Sequence, residues 1–277
     1  KRCRKVLFAK SWSEIQRFEP LPIDSLYEKL NDPFYLKEKR ELIRNSLTLL
    51  KNRASVLPLF NLESYKIASI TIGNGKPDKF AETLKYYSET DALYIPKNEI
   101  GELNDSLHSW LSGYNTLIVG LQETSQWPQR DFGLTPATQE FIEDLNFPGN
   151  KILAVFGNPY MIPKLDIGKF DAVLMCYDDE DVTHELAGQA VFGAFSLSGV
   201  LPITADSVNS VGSGVMLNSI ERLKYGFPEE AGLDSDILKK IDTIAEEAIS
   251  NKATPGCQVL VAVDGKVIYQ KAHRCSW

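Results

Sequence analysis

The chain has 277 residues, of which 43% are hydrophobic and 24% charged. That is the balance of a globular protein with one large domain, or a medium one with appendages. Its formal net charge of −7, with no stripe of Lys and Arg, argues against a nucleic-acid or anionic-membrane partner. No apolar run approaches the ~20 residues of a membrane span. Cys3, Cys176, Cys257 and Cys275 are scattered, without a C-x-x-C pair or a histidine at ligand spacing, so neither a structural disulfide nor a metal site is predicted.

The opening residues, from Lys1, read as the interior of a helical segment rather than as a leader. Asp32-Pro33 is a helix start, with Asp as cap and Pro at the first helical position. Leu36, Leu42, Ile43, Leu47 and Leu50 then recur at spacings that put them on one face of a helix reaching about Asn52. Beyond it, short apolar runs at Ile67–Ile72, Ala92–Ile95, Thr116–Leu121, Ile152–Phe156, Ala172–Cys176 and Val200–Ile203 alternate with amphipathic stretches. Those stretches are Phe80–Tyr87, Ile100–Leu111, Pro136–Leu145 and Val182–Phe192. Strands that are apolar on both faces and alternate with helices predict an α/β fold. It is a three-layer sandwich whose mostly parallel sheet is covered on both sides.

After Thr204 the composition shifts to Ser, Val, Asn and Gly, and residues 205–227 read as a linker. A helix follows, favoured at its start by Asp234 and Asp236, with Ile237, Ile241, Ile244 and Ala248 on one face. Gln258–Val263 and Lys266–Lys271 flank Asp264-Gly265, a two-residue hairpin turn. One helix and one hairpin cannot bury enough surface to stand alone, so this appendage reads as the opening of a further domain.

Three motifs tempt a cofactor or metal reading and fail it. Gly73-Asn-Gly75 follows a strand, but Asp78 stands where a dinucleotide loop needs its third glycine, and Pro77 suits a plain turn into a helix. His184-Glu185 lacks the second histidine of a zinc helix, because position 188 is Gly. The acids from Asp178 to Asp181 suit the positive end of a helix dipole. No cofactor is predicted.

Across 26–204 the chain resembles the C-terminal α/β sandwich of family 3 glycoside hydrolases. The resemblance is carried by Val56-Leu-Pro-Leu59 after the first helix and by Lys151-Ile-Leu-Ala-Val-Phe-Gly-Asn-Pro159. It is carried further by the run from His184 through Gly193 and Gly199 to Thr204. Residues 228–277, with Pro255-Gly-Cys-Gln-Val-Leu-Val-Ala-Val-Asp-Gly-Lys-Val-Ile-Tyr269, look like the truncated start of a class C β-lactamase-like serine hydrolase. The pair is similar to secreted or periplasmic bacterial proteins that join a β-N-acetylhexosaminidase barrel to both parts. On that resemblance residues 1–25 are the tail of an absent barrel, and the remainder of the hydrolase domain is the other absent partner. The substrate would be an amino-sugar glycan.

The resemblance implies that the nucleophilic Asp lies in the barrel, outside this chain. In the β-glucosidase branch the acid/base Glu comes from the loop after the third parallel strand, here Gln122-Glu-Thr-Ser-Gln-Trp-Pro-Gln-Arg-Asp131. That loop departs from the branch pattern but keeps Glu123, Arg130 and Asp131, which are the candidate sugar-contact residues. Arg130 and Asp131 are expected to pair with each other or to hold the loop. No Ser has a Lys three residues later, so the Ser-x-x-Lys that activates a serine hydrolase is absent. The chain by itself is expected to be inactive, with a non-hydrolytic carbohydrate- or protein-binding module as the alternative.

Overall fold

In the computed structural model, residues 2–14, 23–102 and 104–274 are described, and Cys275 lies outside them. They divide into two compact units, Lys1–Leu36 and Lys37–Trp277. The first carries α1 (Arg2–Trp12) and α2 (Leu26–Leu30), neither of which buries a side chain. A third helix, α3 (Pro33–Ser46), spans the boundary.

The second unit is built on a six-stranded sheet. Its strands are β1 (Thr48–Asn52), β2 (Ile67–Gly73), β3 (Thr90–Pro96), β4 (Thr116–Leu121), β5 (Asn150–Val155) and β6 (Ala172–Met175), in the order β1-β6-β5-β4-β2-β3. All neighbours are parallel except β1, which runs antiparallel to β6. The helices between them are α4 (Lys79–Leu84), α5 (Asn104–Leu111) and α6 (Pro136–Asp144), and α7 (Asp181–Val191) follows β6.

Alternate residues of each strand feed two separate cores, as the pleat requires. Ile70, Leu117, Val119 and Leu153 face Leu107, Leu111, Phe141 and Ile142 of α5 and α6. Ile118, Ile152, Ala154 and Leu174 face Phe80 and Leu84 of α4 and Leu186, Ala190 and Val191 of α7. This is the α/β three-layer sandwich that the alternation predicts. Gly188 explains itself here: a Cβ on it would sit 2.8 Å from the Thr83 Cβ, so only glycine lets α7 approach α4 this closely.

Two expectations fail at the sheet edge. The helical pattern predicted through Asn52 stops at Ser46, and Leu47 and Leu49, both fully buried, enter and begin β1. Leu36 and Leu42 are instead exposed, and the buried side chain of α3 is Arg40. The run Val200–Ile203 forms no strand. Pro202 has no N–H to donate, and the place beside β6 is taken by β1. Leu201 is buried all the same, exchanging backbone hydrogen bonds with Gly212 and Ser213.

Residues 205–227 fold back over the sandwich. Leu217 is buried against Leu197 across an isolated bridge, and the Val215 N–H reaches the Leu49 carbonyl at 2.7 Å. Their end supplies β7 (Lys224–Tyr225) to a second sheet, ordered β7-β9-β8, with β8 (Gly256–Val263), β9 (Lys266–Arg274) and α8 (Ser235–Ser250). Asp264 and Gly265 have φ of 49° and 74°, as a two-residue hairpin turn needs. The Asp234 side chain caps α8 through the Asp236 N–H.

Candidate functional site

From β2 the chain moves outward to β3 and then crosses back to β4 on the other side of β2. Open parallel sheets bind ligands outside the carboxyl ends of their strands where the order reverses in this way. At this end lie Asn74 after β2, Lys97 after β3, Glu123 after β4, Asn158 after β5 and Asp179 after β6.

Glu123 is exposed beside that switch point. Its Oε1 accepts a hydrogen bond from Asn74 Nδ2 at 3.0 Å. Its own φ is 54°, and Asp131 and Phe132 have φ of 48° and 54°, a region that disfavours residues with a Cβ by about 1–2 kcal/mol each. Surrounding contacts hold the loop in this conformation. Lys97 Nζ donates to the carbonyl of Glu123 and, at 2.7 Å, to that of Gly133, clamping both ends. Inside the loop the Ser125 N–H donates to the Phe132 carbonyl at 2.8 Å, and the Phe132 ring is buried. Trp127, at the tip, is 62% exposed.

Burial pushes the Lys97 pKa down, while the Asp179 and Glu123 carboxylates act to hold it up. As pH climbs toward the ordinary lysine range, the unfolded chain binds this proton more tightly than the folded one. Stability contributed through Lys97 therefore grows over that alkaline interval and is absent below it. Lys97→Met should remove this slope and release the loop. The expected result is faster hydrogen exchange at Ser125 and Phe132 with little change in β4; unchanged exchange would show that the clamp is not what holds the strained segment.

The rear wall is a carboxylate–imidazole pair. Asp179 Oδ1 lies 2.8 Å from His184 Nε2, and its Oδ2 accepts the Thr124 N–H at 3.3 Å. The His184 ring meets the Phe156 ring edge-on at 4.5 Å and is almost wholly buried. Its Nδ1 has no hydrogen-bond partner, so the tautomer that fits carries its proton on Nε2, facing Asp179. Nearby, Cys176 is fully buried and its thiol pKa is pushed well up by that burial, which keeps it an unreactive thiol.

The three residues singled out from sequence share one loop but not one cluster. Asp131 pairs with Lys164 at 2.6 Å rather than with Arg130, tying the loop to the turn after β5. Arg130 is exposed, with no ion pair among the described residues. Lys97 was not singled out, and Asp179 and His184 were read only as part of a helix-dipole acidic run and of a rejected zinc motif. The acidic run at Asp178 to Asp181 was the signal for one of them, and Lys97 carries no local signal at all. Together these strand-end segments bring one cation between two carboxylates, with an amide and an exposed indole on the same segments. Glycoside hydrolysis needs a second carboxyl group facing the first across the bond. Asp179 is engaged by His184 and Thr124, and Asp131 by Lys164. Among the described residues no group of three His, Cys, Asp or Glu could hold a metal ion, and no helix is long and apolar enough to cross a membrane.

No protein-family model and no curated protein matches the chain. Solved structures do. It is similar to a glycoside hydrolase family 3 beta-N-acetylglucosaminidase from Paenibacillus sp. str. FPU-7, at 14% identity and a TM-score of 0.49 over 77% of this chain and 39% of that one. It is similar to the beta-glucoside phosphorylase BglX at 16% identity and a TM-score of 0.47, over 66% of this chain and 34% of that one. A beta-glucosidase from Listeria innocua in complex with isofagomine gives 16%, 0.49, 66% and 29% for the same quantities. The chain thus spans well under half the length of each, and at these values the likenesses carry no argument about activity.

Proposed function

We propose that this chain is the accessory α/β sandwich of a family 3 glycoside hydrolase of the β-N-acetylhexosaminidase type. In this reading it forms the rim of an amino-sugar site whose nucleophile lies in a separate barrel. The ordered motifs from Val56 to Thr204 support the family. The observation that carries the role is the strained, clamped loop at the switch point, which holds the exposed carboxylate of Glu123, while the neighbouring Asp179 is engaged by His184 and Thr124. A secreted or periplasmic setting belongs to this reading and rests on the family resemblance.

The same reading makes residues 228–277 the start of a serine hydrolase domain. The apolar stripe of α8 supports it: Ile237 and Ile244 are 57% and 66% exposed, and Leu260 on β8 is 54% exposed, so these surfaces have no cover within the described residues.

A binding module without hydrolysis is the second reading, favoured by the polar set of Asn74, Lys97 and Glu123 at the base of a loop whose tip exposes the Trp127 indole. Calorimetry with chitooligosaccharides separates the two. Saturable heat that is lost in Trp127→Ala supports binding by the strand-end loops alone, and the absence of heat supports a rim that works only beside a barrel.

A further inference from the structure

We infer that the cleft between α3, α7 and the β7–β9 edge is a binding site for a small oxoanion of the phosphate or carboxylate class. The cleft is lined by none of Asn74, Lys97, Glu123 or Trp127 and does not depend on the glycosidase reading. Basic residues at 37, 40 and 44 are spaced to share one face of α3, and all three line a cavity of about 60 Å³. Lys224 and Lys266 line the opposite wall.

The charges do not cancel. Arg40 lies 2.6 Å from Glu185 and 2.8 Å from Glu230, and Glu230 also holds Lys266 at 2.8 Å. Those four groups are neutral together, and Arg44 pairs with Glu41 at 3.1 Å. Lys37 and Lys224 remain, both half-buried and with no carboxylate partner among the described residues. The cleft therefore carries two uncompensated positive charges in a chain whose net charge is −7.

A second observation points the same way. Lys224 and Lys266 are register partners in the parallel pair β7–β9, so two ammonium-bearing stems stand side by side. Like charges placed so are destabilising unless something neutralises them. Glu230 answers Lys266 and nothing answers Lys224. An anion between Lys37 and Lys224 would complete the set with charge-assisted hydrogen bonds.

Size agrees with the class. At roughly 15 Å³ per water-sized probe the cavity of about 60 Å³ holds about four waters, room enough for a tetrahedral oxoanion or a carboxylate.

The test is calorimetric titration of the 277-residue chain with inorganic phosphate and, separately, with acetate, at fixed ionic strength. Saturable binding of one equivalent is expected, weakening with added sodium chloride as screening requires. The stronger of the two titrants names the source class. Lys224→Met and Lys37→Met keep the apolar stems and should each weaken binding about tenfold, with unfolding midpoints in anion-free buffer no lower than that of the parent. Heat that never saturates, or binding equal in the parent and the Lys37→Met/Lys224→Met double variant, overturns the assignment.

Discussion

Arg40→Met should lower the stability of the chain by about 3 kcal/mol, the low end of what breaking a buried ion pair costs. Arg40 is the residue that α3 buries, and its side chain is 8% exposed. It reaches Glu185 on α7, Glu230 before α8 and, at 3.0 Å, the carbonyl of Tyr225, with the Phe227 ring 5.9 Å away. Removing it strands Glu230, which is 13% exposed, although Lys266 stays beside that carboxylate. Glu185, 35% exposed, can turn to water, and for that reason the lower figure is the right one. In a unit of this size the loss corresponds to a fall in Tm of about 6–12 °C. The β7–β9 sheet should become accessible to protease first, because Gln189, through two hydrogen bonds to the Tyr225 backbone, is left as the main polar tie. Adding Glu230→Gln should recover part of the loss. A Tm within about a degree of the parent would mean the ion cluster holds nothing together.

Gly199→Ala should cost about as much for a steric reason. A Cβ at this position would lie 2.4 Å from the carbonyl oxygen of Leu47 and 2.5 Å from that of Ser46. Both are backbone atoms at the point where α3 gives way to β1, so neither can swing aside as a side-chain tip would. Overfilling a packed site typically costs about 1–3 kcal/mol, and the absence of any soft neighbour puts this one at the upper end. The neighbouring Ser198 is exposed, and Ser198→Ala should change stability by less than about 0.5 kcal/mol. Equal midpoints for the two variants would contradict the packing at the β1 edge.

The central strands were legible because a parallel sheet covered on both faces leaves short runs of Val, Ile and Leu with no polar alternation. Thr116–Leu121 is such a run, and the structure returns it residue for residue. β1 was not legible. Leu47 and Leu49 obey a period of two, but Leu50 continues a helical spacing from Ile43, and only pairing with β6 decides between them. Val200–Ile203 failed in the opposite direction: its apolar residues are wanted in the core while its backbone pairs with a loop. Arg40 carries no local sign of burial, since Glu185 lies 145 residues further along the chain.

The site divides in the same way. Glu123 was reached through the family resemblance, which points to the loop after the third parallel strand. The Lys97 clamp and the Asp179–His184 pair depend on the order of strands, which brings residues after β3, β4 and β6 to one end. The strain at Glu123, Asp131 and Phe132 belongs to the folded loop and has no signature in a sequence without glycine at those positions.

Turnover of an aryl N-acetyl-β-glucosaminide by the purified 277-residue chain tests the proposed role most directly. The expected rate is that of buffer, identical in the chain and in Glu123→Gln, because the proposed role leaves the nucleophile to a separate barrel. Steady hydrolysis by the parent chain that disappears in Glu123→Gln would contradict it, and would make this loop the seat of catalysis rather than the edge of a site completed by another domain.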